Sequence, residues 1–278
     1  QKAEGIKRIG VLRADVDNLG QTFVAGFAGK YATLSRTAAL SRQLSIFFKY
    51  YIRSILKNGE YHIDGEKKLT ERNATIVYSG GDDVFIVGAW NEVIELSIDL
   101  QEKFKKYTQG TLSISSGIGI YECTYPIGAI ANETGEMEAE SKRMPEKDSV
   151  TFMDDGETHL INELEICDGT YRWEELYKSV LGEKYDVIQD FLGESDERGM
   201  SFLYRMLELI RNQKEKINFA RFVYLLSRLE PDKEGEKKEK YRKFSRKMYQ
   251  WVQSEKDCRE LKTAINLYAY MHREKGAH

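Results

Sequence analysis

Apolar and polar positions alternate from Ile9 to Asp17, with Leu12, Ala14 and Val16 on one side and Arg13, Asp15 and Asp17 on the other. A period of two predicts a buried strand, here with carboxylates sharing one face. Between Ser35 and Lys57 the period changes: Leu40, Leu44, Phe47, Phe48, Tyr51, Ile52 and Ile55 recur at steps of three and four, which predicts an amphipathic helix ending at Asn58-Gly59. Residues 60–72 are polar and charged, a loop or hairpin insertion. Ala74 to Gly88 then predicts two strands around a tight turn centred on Gly80-Gly81-Asp82-Asp83. Asn91 is placed to cap a second helix through about Tyr107, Leu112 to Tyr121 returns as a strand, and Pro126 opens a third helix to about Arg143. A short strand follows at Val150 to Met153.

The order β-α-β-β-α-β predicts an α+β fold, a ferredoxin-like palm with its helices on one face of a mainly antiparallel sheet. From about residue 160 the period is helical, with segments Trp173–Leu181, Lys184–Leu192, Met200–Arg211, Phe219–Leu229, Lys237–Ser254 and Cys258–Glu274. That pattern predicts an all-α helical bundle. The joint falls at Asp154 to Glu157, giving a palm domain over 1–155 and a helical domain over 156–278.

Length and composition agree with two soluble domains: 278 residues, 41% hydrophobic and 12% aromatic. No apolar stretch approaches the roughly 18 to 20 residues of a spanning helix, so no membrane association and a cytoplasmic location are expected. Cys123, Cys167 and Cys258 are odd in number and far apart, which argues against a disulfide framework or a CxxC metal site. The net charge of -3 excludes a wholly basic nucleic-acid coat. Seven of the eleven residues from Lys237 to Lys247 are basic, which reads as a solvated amphipathic helix or as a contact for RNA or an acidic partner. A start at Gln1, almost directly before a strand, reads as a segment of a longer protein.

The stretch with most chemistry is Ser79-Gly80-Gly81-Asp82-Asp83. Adjacent glycines tolerate positive φ and close backbone approach, and the acids that follow offer hard oxygen ligands at a hairpin tip. With Asp15 on the neighbouring strand, Asp82 and Asp83 would hold Mg²⁺ or Mn²⁺ for phosphoryl or nucleotidyl transfer; the alternative is an ordinary polar turn. Asp17 is either a further ligand or the cap of the turn at Asn18-Leu19-Gly20. The face Ser113, Ser115, Gly117, Gly119 is small, for a nucleotide or for a packed helix.

RADVDNLG from Arg13, LSRQLSIFFKYY from Leu40 and YSGGDDVFIVG from Tyr78 occur in that order. Together they resemble the large GGDD palm subunit of type III-A (Csm) CRISPR effector complexes, and EAESKRMPEKDSVTFM from Glu138 extends the likeness over essentially the whole chain. The resemblance implies a GGDD palm followed by a helical domain, the C-terminal part of a subunit whose second palm and HD nuclease would precede Gln1. No His-Asp dipeptide occurs at His62, His159, His272 or His278, so no HD-type DNase activity is expected here. The activity implied is the joining of ATP into cyclic oligoadenylates within an RNA-guided antiviral complex, with Asp15, Asp82 and Asp83 as catalytic metal ligands. The partners implied are other complex subunits, the second palm and, indirectly, crRNA and target RNA.

By the same resemblance Ser79, Gly80 and Gly81 would border the nucleotide. Ser41 and Ser45 would meet its base, against the alternative of a solvated helix face. Lys142 stands where related GGDEF cyclases carry a phosphate-contacting lysine, against a solvent-facing lysine. Because one ATP must attack another in line, two pockets have to face each other. The isolated chain is therefore expected to bind ATP weakly and make little product, unless it forms a self-dimer. A diguanylate-type cyclase is the alternative, although Val84 departs from GGDEF; a mainly structural module for subunit docking and RNA binding is another.

Overall fold

A computed structural model describes residues 3–27, 29–65, 68–193, 197–211 and 216–273. The expected end of the last helix at Glu274, and His278, lie outside the described residues. The chain divides into two compact units, Gln1–Trp173 and Glu174–His278.

The first unit begins with strand β1 (Ile9–Val16), a short helix α1 (Leu19–Ala25) and a long helical run. That run is α2 (Leu34–Ile46), a widened turn at Phe47–Tyr51 and α3 (Ile52–Lys57). The hairpin is β2 (Ala74–Ser79) and β3 (Asp83–Ala89), followed by α4 (Trp90–Tyr107), β4 (Ile114–Tyr121), α5 (Ile127–Ser141) and β5 (Ser149–Phe152). Three short strands complete the unit: β6 (Thr158–Ile161), β7 (Leu164–Cys167) and β8 (Thr170–Arg172). The main sheet runs β2-β3-β1-β4-β5-β8, while β6 and β7 form a separate hairpin. Its pairs are antiparallel except β4 with β5, which the α5 crossover permits. The observed division lies after Trp173 rather than after 155, since β8 pairs with β5 and so belongs to the palm sheet.

The alternation in β1 sorts the two faces. Gly10 backs onto α4, where an added Cβ would lie 2.7 Å from the Trp90 Cα; Leu12 and Ala14 on that face are fully buried. Phe47, at the end of α2, meets Phe104 of α4 edge-on at 5.1 Å. Gly117, across from Arg13 on the other face, backs onto α5, where an added Cβ would lie 2.5 Å from the Thr134 carbonyl oxygen. The expectation of helices on one face therefore holds for α4 but not for α5, which covers the opposite face over a cluster of Val11, Tyr121 and Ile130. The small residues of β4 serve that close helix approach. Asn91 is not the cap of α4: the helix starts at Trp90 after an extended Ala89, and Asn91 Oδ1 accepts the Glu4 N–H at 3.4 Å.

The second unit is helical: α6 (Trp173–Glu175), a widened run Leu176–Tyr185, α7 (Asp186–Leu192), α8 (Glu197–Arg211), α9 (Lys216–Ser227), α10 (Glu236–Trp251) and α11 (Glu255–His272). Phe191 stacks on Phe244 at 4.2 Å, and the buried Lys184 ammonium is held by Glu260 and Asp257 at 2.5 and 2.9 Å. Much of the basic stretch is paired: Lys238 with Glu234, Lys243 with Asp190 and Lys247 with Glu183. This is the amphipathic helix reading. No helix among the described residues is long and apolar enough to cross a membrane.

Candidate functional site

Strands β1 and β3 pair in a register that sets Asp15 directly opposite Asp83. The two carboxylates are thus cross-strand neighbours on the face that α5 partly covers. Asp82 is fixed beside them by the main chain. Its carbonyl accepts the Val16 N–H at 3.1 Å, and the Gly80 N–H closes the turn onto the Asp83 carbonyl at 2.8 Å. Burial raises the Asp82 carboxyl above its ordinary range, and the charges of Asp15 and Asp83 add to it; a backbone hydrogen bond and Lys142 pull the other way without cancelling the rise.

Neither Gly80 nor Gly81 takes a positive φ, and a Cβ at Gly81 would meet nothing within 4 Å, so it is Gly80 that acts here, through space rather than backbone angle. A Cβ at Gly80 would lie 2.4 Å from Asp83 Oδ1 and 2.5 Å from the Tyr78 hydroxyl. Only glycine leaves room for the phenol to reach the acid. The Asp83 charge is the first cause that raises the Tyr78 hydroxyl above its ordinary value.

Lys142, just past the end of α5, reaches back to Asp15 and also lies 2.6 Å from Glu138 Oε1. Burial lowers its ammonium, but hydrogen bonds to Asp15 and Glu138 outweigh that and raise it overall. Glu138 in turn holds Arg13 Nε at 2.8 Å. Four of the sequence-derived residues, Asp15, Asp82, Asp83 and Lys142, are therefore brought together.

Others are placed differently. The Ser79 side chain turns to the opposite sheet face, where its hydroxyl donates to the Phe48 carbonyl at 2.5 Å. Ser41 is exposed and Ser45 half-buried on α2, part of the helical run that Ser79 ties to the hairpin. Asp17 is buried: Oδ2 accepts the Ser113 hydroxyl at 2.7 Å and the Asp148 N–H at 3.1 Å. It is a strut between β4 and the turn before β5; of its two expected roles, ligand or cap, the cap does not form, since α1 is preceded by a left-handed Asn18 with no side-chain capping bond.

Sequence reasoning passed over Arg13, Tyr78 and Glu138. The signals were present: Glu138 and Lys142 stand one helical turn apart, and Arg13 shares the Asp15 face. A second acidic group, Asp155, Glu157 and Asp168, draws its oxygens to within 4.8 Å of one another near the β6–β7 hairpin. The acids on the palm strands differ from this group in being joined by cations and a phenol.

The family profile described as the Cas10/Cmr2 second palm domain matches residues 8–151, and the CRISPR RNA silencing complex Cmr2 subunit second helical domain matches residues 189–274. The CRISPR system single-strand-specific deoxyribonuclease Cas10/Csm1 (subtype III-A) of Mycobacterium tuberculosis is 42% identical over 99% of this chain and 33% of its own length. The chain thus spans about a third of such relatives. Among solved structures, a Csm1-Csm4 cassette in complex with one ATP superimposes with a TM-score of 0.67 at 25% identity, covering 95% of this chain and 37% of that one. A Csm1-Csm4 cassette in complex with cA3 gives the same TM-score and coverage. With the palm profile matching more than half of its length, this chain belongs to the Cas10/Cmr2 family, among relatives of the Cas10/Csm1 subtype III-A branch.

Proposed function

We propose that this chain supplies one nucleotide half-site of a metal-dependent nucleotidyltransferase that joins ATP into cyclic oligoadenylates within a type III CRISPR complex. The observation that carries the reading is the convergence of Asp15, Asp82 and Asp83 with Lys142 on one sheet face. Related cassettes hold ATP and cA3, which supports a nucleotide as the ligand.

The donor set fits Mg²⁺ or Mn²⁺. Three carboxylates lie together, Asp82 raised by burial first and then by the charges of Asp15 and Asp83, and a cation, the Lys142 ammonium, already stands on Asp15. When bound, such a metal would neutralise the triphosphate and acidify the attacking hydroxyl. The chain's own residues do the rest. Asp15 and Asp83 present oxygens from paired strands, Gly80 leaves room for the Tyr78 phenol to reach Asp83, and Lys142 swings from Asp15 to a phosphate oxygen within its tether to Glu138. Ser41 and Ser45 border the base. In-line attack needs a second pocket, supplied by another palm, so positioning between the two supplies much of the rate. The helical unit docks neighbouring subunits, in keeping with the Csm1-Csm4 pairing of the relatives.

Titration calorimetry of ATP with Mn²⁺ tests this. Metal-dependent ATP binding that is lost in Asp82→Ala/Asp83→Ala is expected. Binding that ignores both acids would refute the half-site, and a preference for GTP would favour a diguanylate-type cyclase.

A further inference from the structure

The charges around Asp15 form a chain rather than a pair. Glu138, with a side chain only 10% exposed, divides its two oxygens: Oε1 takes Lys142 at 2.6 Å and Oε2 takes Arg13 at 2.8 Å. One nearly buried carboxylate thus spaces two cations along the site face. Arg13 lies two residues before Asp15 on β1 and shares its side of the sheet. Helix α5 makes room for the guanidinium at Gly135, where an added Cβ would lie 2.9 Å from Arg13 Nη1. Even so, the Arg13 side chain stays 43% exposed. An arginine needed only to neutralise Glu138 would gain nothing from that exposure, since Lys142 already does so.

We propose that Arg13, aligned with Lys142 by their shared partner Glu138, is a second phosphate-binding cation of the nucleotide site, with Glu138 as its positioning residue. This rests on the nucleotidyltransferase reading for the nature of the ligand, a metal-bound polyphosphate. The charge balance favours it. Arg13 and Lys142 are offset by Glu138 and Asp15; a divalent cation that takes up Asp15 together with Asp82 and Asp83 leaves the two side-chain cations facing Glu138 alone. The planar guanidinium fork can then meet two phosphate oxygens at once, which the point charge of Lys142 cannot.

The test is calorimetry of inorganic tripolyphosphate with Mn²⁺, beside electron paramagnetic resonance of Mn²⁺ alone. Arg13→Gln should weaken tripolyphosphate about 10-fold, the scale of a lost charged hydrogen bond, and leave the binding of Mn²⁺ alone unchanged. Arg13→Lys should recover part of the loss, and Glu138→Gln should weaken tripolyphosphate by a smaller factor. Unchanged tripolyphosphate binding in Arg13→Gln, or none in the parent chain, overturns the inference. So does an equal loss of Mn²⁺ binding, which would make Arg13 a prop of the sheet. Failure of the underlying reading shows separately, as ATP binding indifferent to Asp82 and Asp83.

Discussion

Two cations in the palm unit each bridge a pair of acids, in opposite surroundings. Arg72 is 1% exposed and pairs with Glu95 and with Asp99 at 2.8 Å. The same acids take main-chain donors from the loop: Glu60 and Tyr61 donate to Asp99 at 3.1 and 2.9 Å, and Ile63 donates to Glu95 at 3.0 Å. Charge and hydrogen bonds are consumed within the fold, stapling Glu60, Tyr61, Ile63 and Arg72 to α4. Lys142, 27% exposed, bridges Asp15 and Glu138 but shares its face with Asp82 and Asp83. Among the described residues, four acids there meet the two cations Arg13 and Lys142. A closed, buried network reads as structure, whereas a half-open one with surplus negative charge reads as a place for an arriving cation.

The largest effect should come from breaking the closed network. Arg72→Met should cost about 3–5 kcal/mol, because it strands two buried carboxylates; urea denaturation measures it, and a loss under 1 kcal/mol would remove the distinction drawn here. Next comes Asp83→Ala. In a complete complex it should lower oligoadenylate synthesis at least about 100-fold, while unfolding shifts by less than about 1 kcal/mol.

A pH series sharpens the same contrast. Burial raises the Glu95 carboxyl to about 7 from 4.5, against the Ile63 N–H and the Arg72 charge. The folded state therefore holds that proton more tightly, so this group's contribution is full below pH 4.5 and is lost as pH rises towards 7. The stability difference between parent and Glu95→Gln, followed by denaturation, should shrink or reverse across that window; a flat difference would argue against it. The smallest effect is Lys142→Met: at a partly exposed site its loss should move stability by no more than about 1 kcal/mol, with Mn²⁺ alone bound more tightly and ATP more weakly. A matching fall in both affinities would assign Lys142 to structure.

Much of the palm was legible because its strands and helices carry clean periods. The alternation through Arg13, Asp15 and Asp17 put the acids on one face, and the hairpin around Gly80-Gly81 brought Asp82 and Asp83 beside them. Strands β6 to β8, of only three or four residues each, were missed because they fall past the expected joint at Asp154 to Glu157, where the surrounding pattern reads as helical. The Arg72 clamp was hidden for another reason. Its loop is polar, and only the tertiary fold shows that Glu95 and Asp99, one turn apart on α4, bury their charges against it. The second face of the sheet was likewise out of reach, since a small-residue strand such as Ser113 to Gly119 suits a ligand or a helix equally. Asp17 shows the limit at the site itself: alternation gave its side of the strand, but not the burial that makes it a strut.

The most direct test of the central claim is anomalous diffraction from crystals of the chain grown with Mn²⁺ and a non-hydrolysable ATP analogue. The account predicts manganese between Asp15, Asp82 and Asp83, with the Lys142 ammonium moved from Asp15 onto the phosphates. Manganese held by Asp155, Glu157 and Asp168 instead, with Lys142 still on Asp15, would contradict it.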